Sequence, residues 1–452
     1  MTRPTPTENL ALTISNRQIL RIALPITAAI LVPQINFITN NIFLGQLGEK
    51  ELGVAGITGV YYLIFAVMGY GLNNGLQALI ARRAGQNRPQ DILTLFVQSQ
   101  YLAIALAALA IAISYTVGAA LLQYAIHDPT KSTQAIAFVK IRIWGLPFLY
   151  LFQMRNALLV GTNNSKYLVF GTLAETGSNI LFDYTLIFGH FGAPQWGFTG
   201  AAWASIFAEV TGLMVVMAVT YSKKLTRTLR AGIGGALDAP QAKLLLVQST
   251  PLMVQHALSI ITWELFYLLI EHYGTRELAI SNAMRNVFGL FGCFAWAFAA
   301  TSNTMVSNII GQGLQHRVIE LVWKISKLAA MFAAIIFILA NAVPQLFLGV
   351  YGQGDAFIAD AKPVMRIVSL ALIMQSVSVV WLNAVTATGN TRVNLAIELV
   401  TLVAYTLYIW LVLHTLRLGI VWGWASEWLY WTATFTLSFW YMQRGNWKNK
   451  QI

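Results

Sequence analysis

The residues best placed to do chemistry lie in GSNILFDYTLIFG, Gly177 to Gly189, an apolar run that carries a carboxylate, Asp183, in its interior. An ionised group inside a membrane costs roughly 3 kcal/mol on insertion scales, so such a residue ordinarily faces a wet cavity and works there. On a helix Glu175, Asn179 and Asp183 recur every fourth residue and share one face, with Leu, Ile and Phe covering the rest. A desolvated carboxylate with no cation beside it can take up and release a proton near neutral pH. Loss of the charge would let a helix bend or a bundle close. The competing reading is a structural acid paired with Lys140 or Arg142, which stand near the outer start of the fourth apolar segment.

A second candidate lies in ITWELFYLL. Glu264 is roughly 12 Å from the outer end of the seventh segment, and Arg285 is roughly 9 Å into the eighth from the same side. The two can meet as a buried ion pair, or act in coupling or substrate binding. Glu175, Glu209, Glu398 and Glu427 are further intramembrane acids. Glu175 is expected near the cytoplasmic end and hydrated; the other three line a cavity or pair with Arg155 or Arg366.

These residues need a membrane scaffold, and the composition supplies one. Apolar residues make up 57% of the 452 and charged residues 10%, with a mean hydropathy of +0.62. A soluble chain of this length requires a far more charged surface, so the chain reads as a polytopic membrane protein. The formal charge of +12 is carried by Lys and Arg in short loops between apolar runs. That is a pattern of membrane orientation rather than of nucleic-acid binding. The polar N-terminus, MTRPTPTENLALTISNRQ, has no apolar core followed by a cleavage site, so no signal peptide is expected. The only cysteine, Cys293, rules out an internal disulfide and a Cys-based metal cluster.

Twelve apolar segments of spanning length run along the sequence. Open sheet edges do not survive in lipid, so the expected fold is all-α, with twelve transmembrane helices in two pseudo-symmetric six-helix bundles. Positive residues cluster in alternate loops: Arg82, Arg83 and Arg88; Lys166; Lys223, Lys224, Arg227 and Arg230; Arg317; Arg392; and Arg444, Lys448 and Lys450. The opposite loops hold Lys50, Lys131, Arg276, Lys362 and Arg417, mostly beside acids. Both termini are therefore expected on the cytoplasmic side of a multi-pass protein of the cell membrane.

The longest polar connection, SKKLTRTLRAGIGGALDAPQAK, divides the chain into an N-terminal lobe at 1–222, a cytoplasmic linker at 223–241 and a C-terminal lobe at 242–452. The lobes repeat each other at a constant offset of 226 residues, as from Pro25 to Pro251, Gly48 to Gly274, Glu51 to Glu277 and Gln86 to Gln312. With six spans in each half the repeat is parallel, and duplicated bundles of this kind place substrate at the interface between repeats and rock them. Pro25, Pro33, Pro147, Pro251 and Pro363 are expected to interrupt or open helices, with Pro33 a hinge or a static kink two turns before Asn40.

Several stretches together resemble the multidrug and toxic-compound extrusion (MATE) transporters. They are LPITAAILVPQINFITNNIFLGQLGEKELGVAGI, ALLVGTNNSKYLVFGTLAETGSNILFDYTLIFG, GAPQWGFTGAAWAS and the terminal RGNWK, with KIRIWGLP similar to the DinF-like branch. The resemblance covers nearly the whole chain. It implies export of small organic compounds, by alternating access, driven by inward flow of protons or sodium. In DinF-like relatives the cation-coupling groups are an Asp on the first helix, an Asn and an Asp on the fifth, and a hydroxyl on the sixth. Asn179 and Asp183 match the fifth-helix pair and Ser205 the hydroxyl, whereas the first-helix position holds Asn40. The sodium-coupled NorM-like branch carries carboxylates on its seventh and tenth helices, where this chain has Ser259 and Gln375, so that site is not transferred. Gln375 is kept, with Glu264 and Arg285, as a candidate for the substrate cavity or for a site in the second lobe.

Depth supports the first set. Asp183 is roughly 10 Å, Asn40 roughly 7 Å and Ser205 roughly 12 Å from the outer ends of their helices, so the three share one level. The expected function is a proton-coupled antiporter for multidrug efflux; the alternatives are sodium coupling and a lipid-linked saccharide flippase of the same superfamily. No catalytic residue set, metal site or cofactor is expected. GxxxxGK[ST] and HExxH are absent, so neither ATP nor a zinc-dependent reaction is indicated. The expected partners are small organic substrates and the bilayer, and the sequence leaves the oligomeric state open.

Overall fold

The computed structural model describes residues 10–126, 128–222 and 237–450. Residues 223–236, which include Lys223, Lys224, Arg227, Arg230 and most of the expected linker, lie outside the described residues. Among the described residues every regular element is helical.

The first half contains α1 (Asn16–Leu47), α2 (Glu49–Gly85) and α3 (Pro89–Ile113), the last extended by a π-helical turn, Ser114–Gly118, and by Ala119–Ala125. It continues with α4 in two pieces (Pro129–Arg142 and Leu146–Gly161), α5 (Leu168–Phe188) and α6 (Gly197–Ser222). The second half contains α7 (Ala239–Glu271), α8 (Thr275–Gly311), α9 (Val318–Ala342), α10 (Gly354–Ala387), α11 (Thr391–Ile409) and α12 (Ser426–Arg444). Ten of these twelve are long and apolar enough to cross a membrane on composition alone. Of the other two, α5 is diluted by its polar stripe of Glu175, Asn179 and Asp183, and α12 by the Thr, Ser, Trp and Tyr residues spread along it. The molecule is thus an all-α membrane protein of two six-helix halves.

The internal repeat reaches the backbone. Left-handed residues recur at the same offset of 226: Gly48 with Gly274, Asn87 with Gly313, Asn163 with Gly389 and Phe191 with Arg417. Gly48 (φ 148°) and Gly274 (φ 132°) each open the second helix of their half, with Glu51 and Glu277 folded over them. A side chain would be strained at either position.

The chain forms two compact units. One comprises Ala28–Ser249 and the other Ala11–Thr27 together with the chain from Thr250 onward. The start of α1 therefore belongs to the second unit, where Leu12 N–H donates to Asn308 Oδ1 (2.9 Å) and Leu12 O accepts from Gln312 Nε2 (3.0 Å). The start of α7 belongs to the first, where Ser249 sits against Gly75 of α2.

Most of the prolines expected to interrupt helices do not. α1 runs unbroken through Pro25 and Pro33, α7 through Pro251 and α10 through Pro363. A membrane helix tolerates the lost backbone hydrogen bond because local adjustment satisfies the freed carbonyl. Pro147 does mark a break: a tight turn, Ile143–Gly145, separates the two pieces of α4, and Pro147 sits at the start of the second.

The helices that carry Asp183 and Ser205 pack through glycine. A side chain at Gly200 of α6 would meet the Leu186 carbonyl oxygen at 2.5 Å, and one at Gly171 of α5 would meet Val216 at 2.1 Å. Gly212 lies under Glu175 in the same way. Small residues at such a seam let two membrane helices approach closely, which brings the polar face of α5 onto α6.

Candidate functional site

Asp183 is fully buried, at 0% exposure. One turn before it on α5, the Asn179 amide is oriented by its neighbours. Its Nδ2 donates to Asp183 Oδ2 (3.1 Å) and to Asn36 Oδ1 (2.7 Å), and its Oδ1 accepts from the Ser205 backbone N–H (3.2 Å). The other carboxylate oxygen, Asp183 Oδ1, has no hydrogen-bond partner. One amide thus ties together α1, α5 and α6.

The structure brings Asp183 and Asn179 together but changes what the other two expected residues contribute. Ser205 offers its backbone N–H, because its hydroxyl donates to Ala201 O (3.0 Å). On α1 the residue in contact is Asn36, one turn before Asn40. Asn40 is half-buried and its Oδ1 has no partner. Both asparagines lie on the same face of α1, so the depth of α1 against α5 decides which one reaches Asn179.

The ion pairs among the described residues leave Asp183 without a cation. Arg142, which the competing structural reading offered as a partner together with Lys140, is engaged elsewhere. Its Nη2 lies 2.6 Å from Glu209 Oε1 and its Nη1 3.1 Å from Oε2. Tyr62 Oη donates to the same Glu209 Oε1 (3.0 Å), and the guanidinium stacks 3.8 Å from the Tyr62 ring centroid. Gly145, in the break of α4, leaves room for the pair: a Cβ there would fall 2.1 Å from Glu209 Oε2 and 2.3 Å from Arg142 Nη1. Lys140 lies 5.9 Å from the Tyr115 ring centroid. Glu175 is half-buried against Gly212.

In the second unit Glu264 and Arg285 do pair, Nη2 to Oε1 at 3.0 Å, with about a third of each side chain exposed (30% and 35%). The guanidinium lies 4.9 Å from the ring centroids of both Trp263 and Tyr267. All four residues but Trp263 line a cleft of about 610 Å³. Gln375 is buried beside Gly292, with no partner for its Oε1, and among the described residues no hydrogen bond joins it to Glu264 or Arg285.

Glu398 of α11 was expected to line a cavity or pair with Arg155 or Arg366, and it does not pair with either. Its carboxylate accepts from Ser259 Oγ (2.6 Å) and Gln255 Nε2 (3.2 Å), both on α7, and from the Tyr430 hydroxyl of α12. Glu427 accepts from Trp431 Nε1 (2.9 Å). Arg155 stacks over Phe96 (5.4 Å), and Arg366 lines a separate cleft with Lys362. The only advance signal for Glu398 was its charge inside an apolar run; its three donors come from two other helices, and sequence spacing does not reveal them.

The profile of the MatE family matches the chain twice, over residues 25–185 and 251–411. Among solved structures the chain is similar to a MATE protein in complex with MaL6, at 16% identity and TM-score 0.88, covering 100% of both chains. It is similar to a multidrug resistance MATE family transporter of the MOP superfamily in an outward-facing conformation, at 15% identity and TM-score 0.88, covering 98% of both. A MOP superfamily transporter from Pyrococcus furiosus Vc1, described as having a binding pocket of reverse polarity that suggests a different function, matches at 15% identity and TM-score 0.87 over 100% of both.

Proposed function

The chain belongs to the MatE family, which makes it a membrane transporter rather than an enzyme, and on that footing we propose that it is a secondary antiporter that exports small organic compounds in exchange for protons. The observation that carries this reading is Asp183: a fully buried carboxylate with one oxygen held by Asn179, the other without a partner, and no ion pair to it among the described residues. Ionisable groups buried in a membrane span are rare and ordinarily serve a transport pathway, which suits a group that loads and unloads a proton.

Protonation on Oδ1 removes the charge and leaves Oδ2 to accept from the Asn179 amide as a neutral carbonyl, which weakens that bond. Because that amide also holds Asn36 and the backbone at Ser205, the state of one carboxyl is felt by three helices. Alternating access follows when this bonding favours one conformation with the proton bound and the other without it. The KIRIWGLP stretch supports placement in the DinF-like branch, and the Lys and Arg distribution supports a cell-membrane location with both termini cytoplasmic. No cofactor or nucleic acid enters the cycle; the partners are the substrate and the bilayer.

Sodium coupling is the second reading. It is favoured by the partnerless oxygens of Asp183 and Asn40, since a hard cation takes oxygen ligands. One assay separates the two: proton release from purified protein on addition of a panel of organic cations, anions and neutral aromatics, with and without sodium. Sodium-independent release in wild type that disappears in Asp183→Asn is the expected result. Release unchanged in the variant overturns the assignment of the site, and ligand binding that requires sodium overturns the choice of ion.

A further inference from the structure

The second unit holds a buried carboxyl that the Asp183 cycle does not use. Glu398 stands on α11 at 0% exposure, and each of its contacts is with a neutral donor. Gln255 Nε2 donates to Oε2, while the Ser259 and Tyr430 hydroxyls reach Oε1. The titratable and charged groups on the elements around it are Glu427, Tyr430, Tyr441 and Arg444 of α12, Lys243, His256, Glu264, Tyr267 and Glu271 of α7, and Arg392, Tyr405 and Tyr408 on α11 itself. On α10 the charged residues, Asp355, Asp360, Lys362 and Arg366, all lie in the first half of the helix. No Lys or Arg among the described residues pairs with Glu398.

A hydroxyl has one hydrogen to donate, yet Ser259 Oγ lies within bonding distance of two acceptors, Gln255 O at 2.9 Å and Glu398 Oε1 at 2.6 Å. When Glu398 is ionised, that hydrogen points at Oε1. When Oε1 carries a proton, the acid O–H donates to Ser259 Oγ, and the Ser259 hydrogen turns to the Gln255 carbonyl, the usual acceptor for a serine one turn along a helix. Gln255 Nε2 stays on Oε2 in both states. The cage therefore satisfies either form of the acid at the expense of one hydroxyl rotation, and it has room for one more hydrogen than the ionised form supplies.

We propose that Glu398 is a second proton-binding site of this transporter, located in the carboxyl-terminal unit, with Ser259 as the hydroxyl that switches acceptors when the proton arrives. The site is independent of the Asp183 reading: it rests on α7, α11 and α12 alone and stands whether or not Asp183 titrates. Its ligand is H⁺ itself. Because Ser259 and Gln255 are both on α7, binding changes how α7 is held to α11.

The test is infrared difference spectroscopy of the full chain in lipid nanodiscs, without substrate, over a step between about pH 5 and pH 9, the range in which buried Glu side chains are known to titrate. A protonated buried carboxyl gives its own C=O stretching band. The expected result is a band that is lost in Glu398→Gln and kept in Asp183→Asn. Ser259→Ala, which deletes a single hydroxyl, should keep that band and move it to higher frequency, and Ser259→Thr should restore its position. Difference spectra that are the same in wild type and Glu398→Gln overturn the proposal. If Glu398→Gln does not fold, a Ser259→Ala spectrum identical to that of wild type overturns it instead. The Asp183 reading is scored separately in the same experiment, by the band lost in Asp183→Asn.

Discussion

The Arg142–Glu209 pair allows a prediction whose size is set by burial rather than by distance. Arg276 and Asp360 approach to 2.7 Å, nearly as close as the 2.6 Å of Arg142 and Glu209, but their side chains are 46% and 56% exposed against 14% and 5%. Water already solvates the first pair, so Arg276→Gln should cost about 0.5 kcal/mol. Glu209→Gln leaves a guanidinium buried without its counter-charge and should cost about 3–5 kcal/mol. Replacing both members, Arg142→Met with Glu209→Leu, removes the stranded charge and should recover at least about 2 kcal/mol of that loss. The measurement is reversible unfolding in mixed micelles as SDS is titrated in, followed by the fluorescence of the 14 tryptophans. A Glu209→Gln variant no less stable than Arg276→Gln, or a double variant less stable than the single, refutes the reasoning.

Other outcomes follow from named contacts. Asn36→Leu should weaken substrate-driven proton release more than Asn40→Leu, because Asn36 bonds Asn179; the opposite order in the same assay would return the α1 role to Asn40. Gly200→Val sets a side chain against the Leu186 carbonyl, a backbone group that cannot step aside, and should cost about 1–3 kcal/mol and impair transport. Gly177→Ala, where the added Cβ meets nothing within 4 Å, should be neutral or stabilising in the same unfolding titration. Glu264→Gln should change stability by less than about 1 kcal/mol, because its ion pair is a third exposed; a larger loss would mean that the pair is far drier than its exposure indicates.

What was legible in the sequence follows from what is local. Helix number, the repeat and the pairing of Asn179 with Asp183 depend on runs and spacings along one strand of chain, and the structure carries all three. Partners on different helices depend on relative depth and rotation, which one sequence does not state. Hence Asn40 was named where Asn36 makes the contact, although their four-residue spacing already put both on one face. Hence also Arg142 was offered to Asp183 when Glu209 takes it, and the three donors around Glu398 went unseen. The prolines misled for another reason: the preference against helix-interior proline is drawn from water, and a spanning helix has fewer alternatives to remaining helical.

The reciprocal membership of α1 and α7 has a consequence for how the molecule can be taken apart. Each helix begins in one compact unit and ends in the other, with the changeover at Thr27/Ala28 and at Ser249/Thr250, close to the equivalent prolines Pro25 and Pro251. This is an arm exchange of the sort known from domain-swapped dimers, carried out here within one polypeptide. Two fragments made by cutting the connection between α6 and α7 would each lack a segment that the other donates. They should be unstable when expressed alone and should complement each other when expressed together, and a tandem of two first halves should not substitute for the pair.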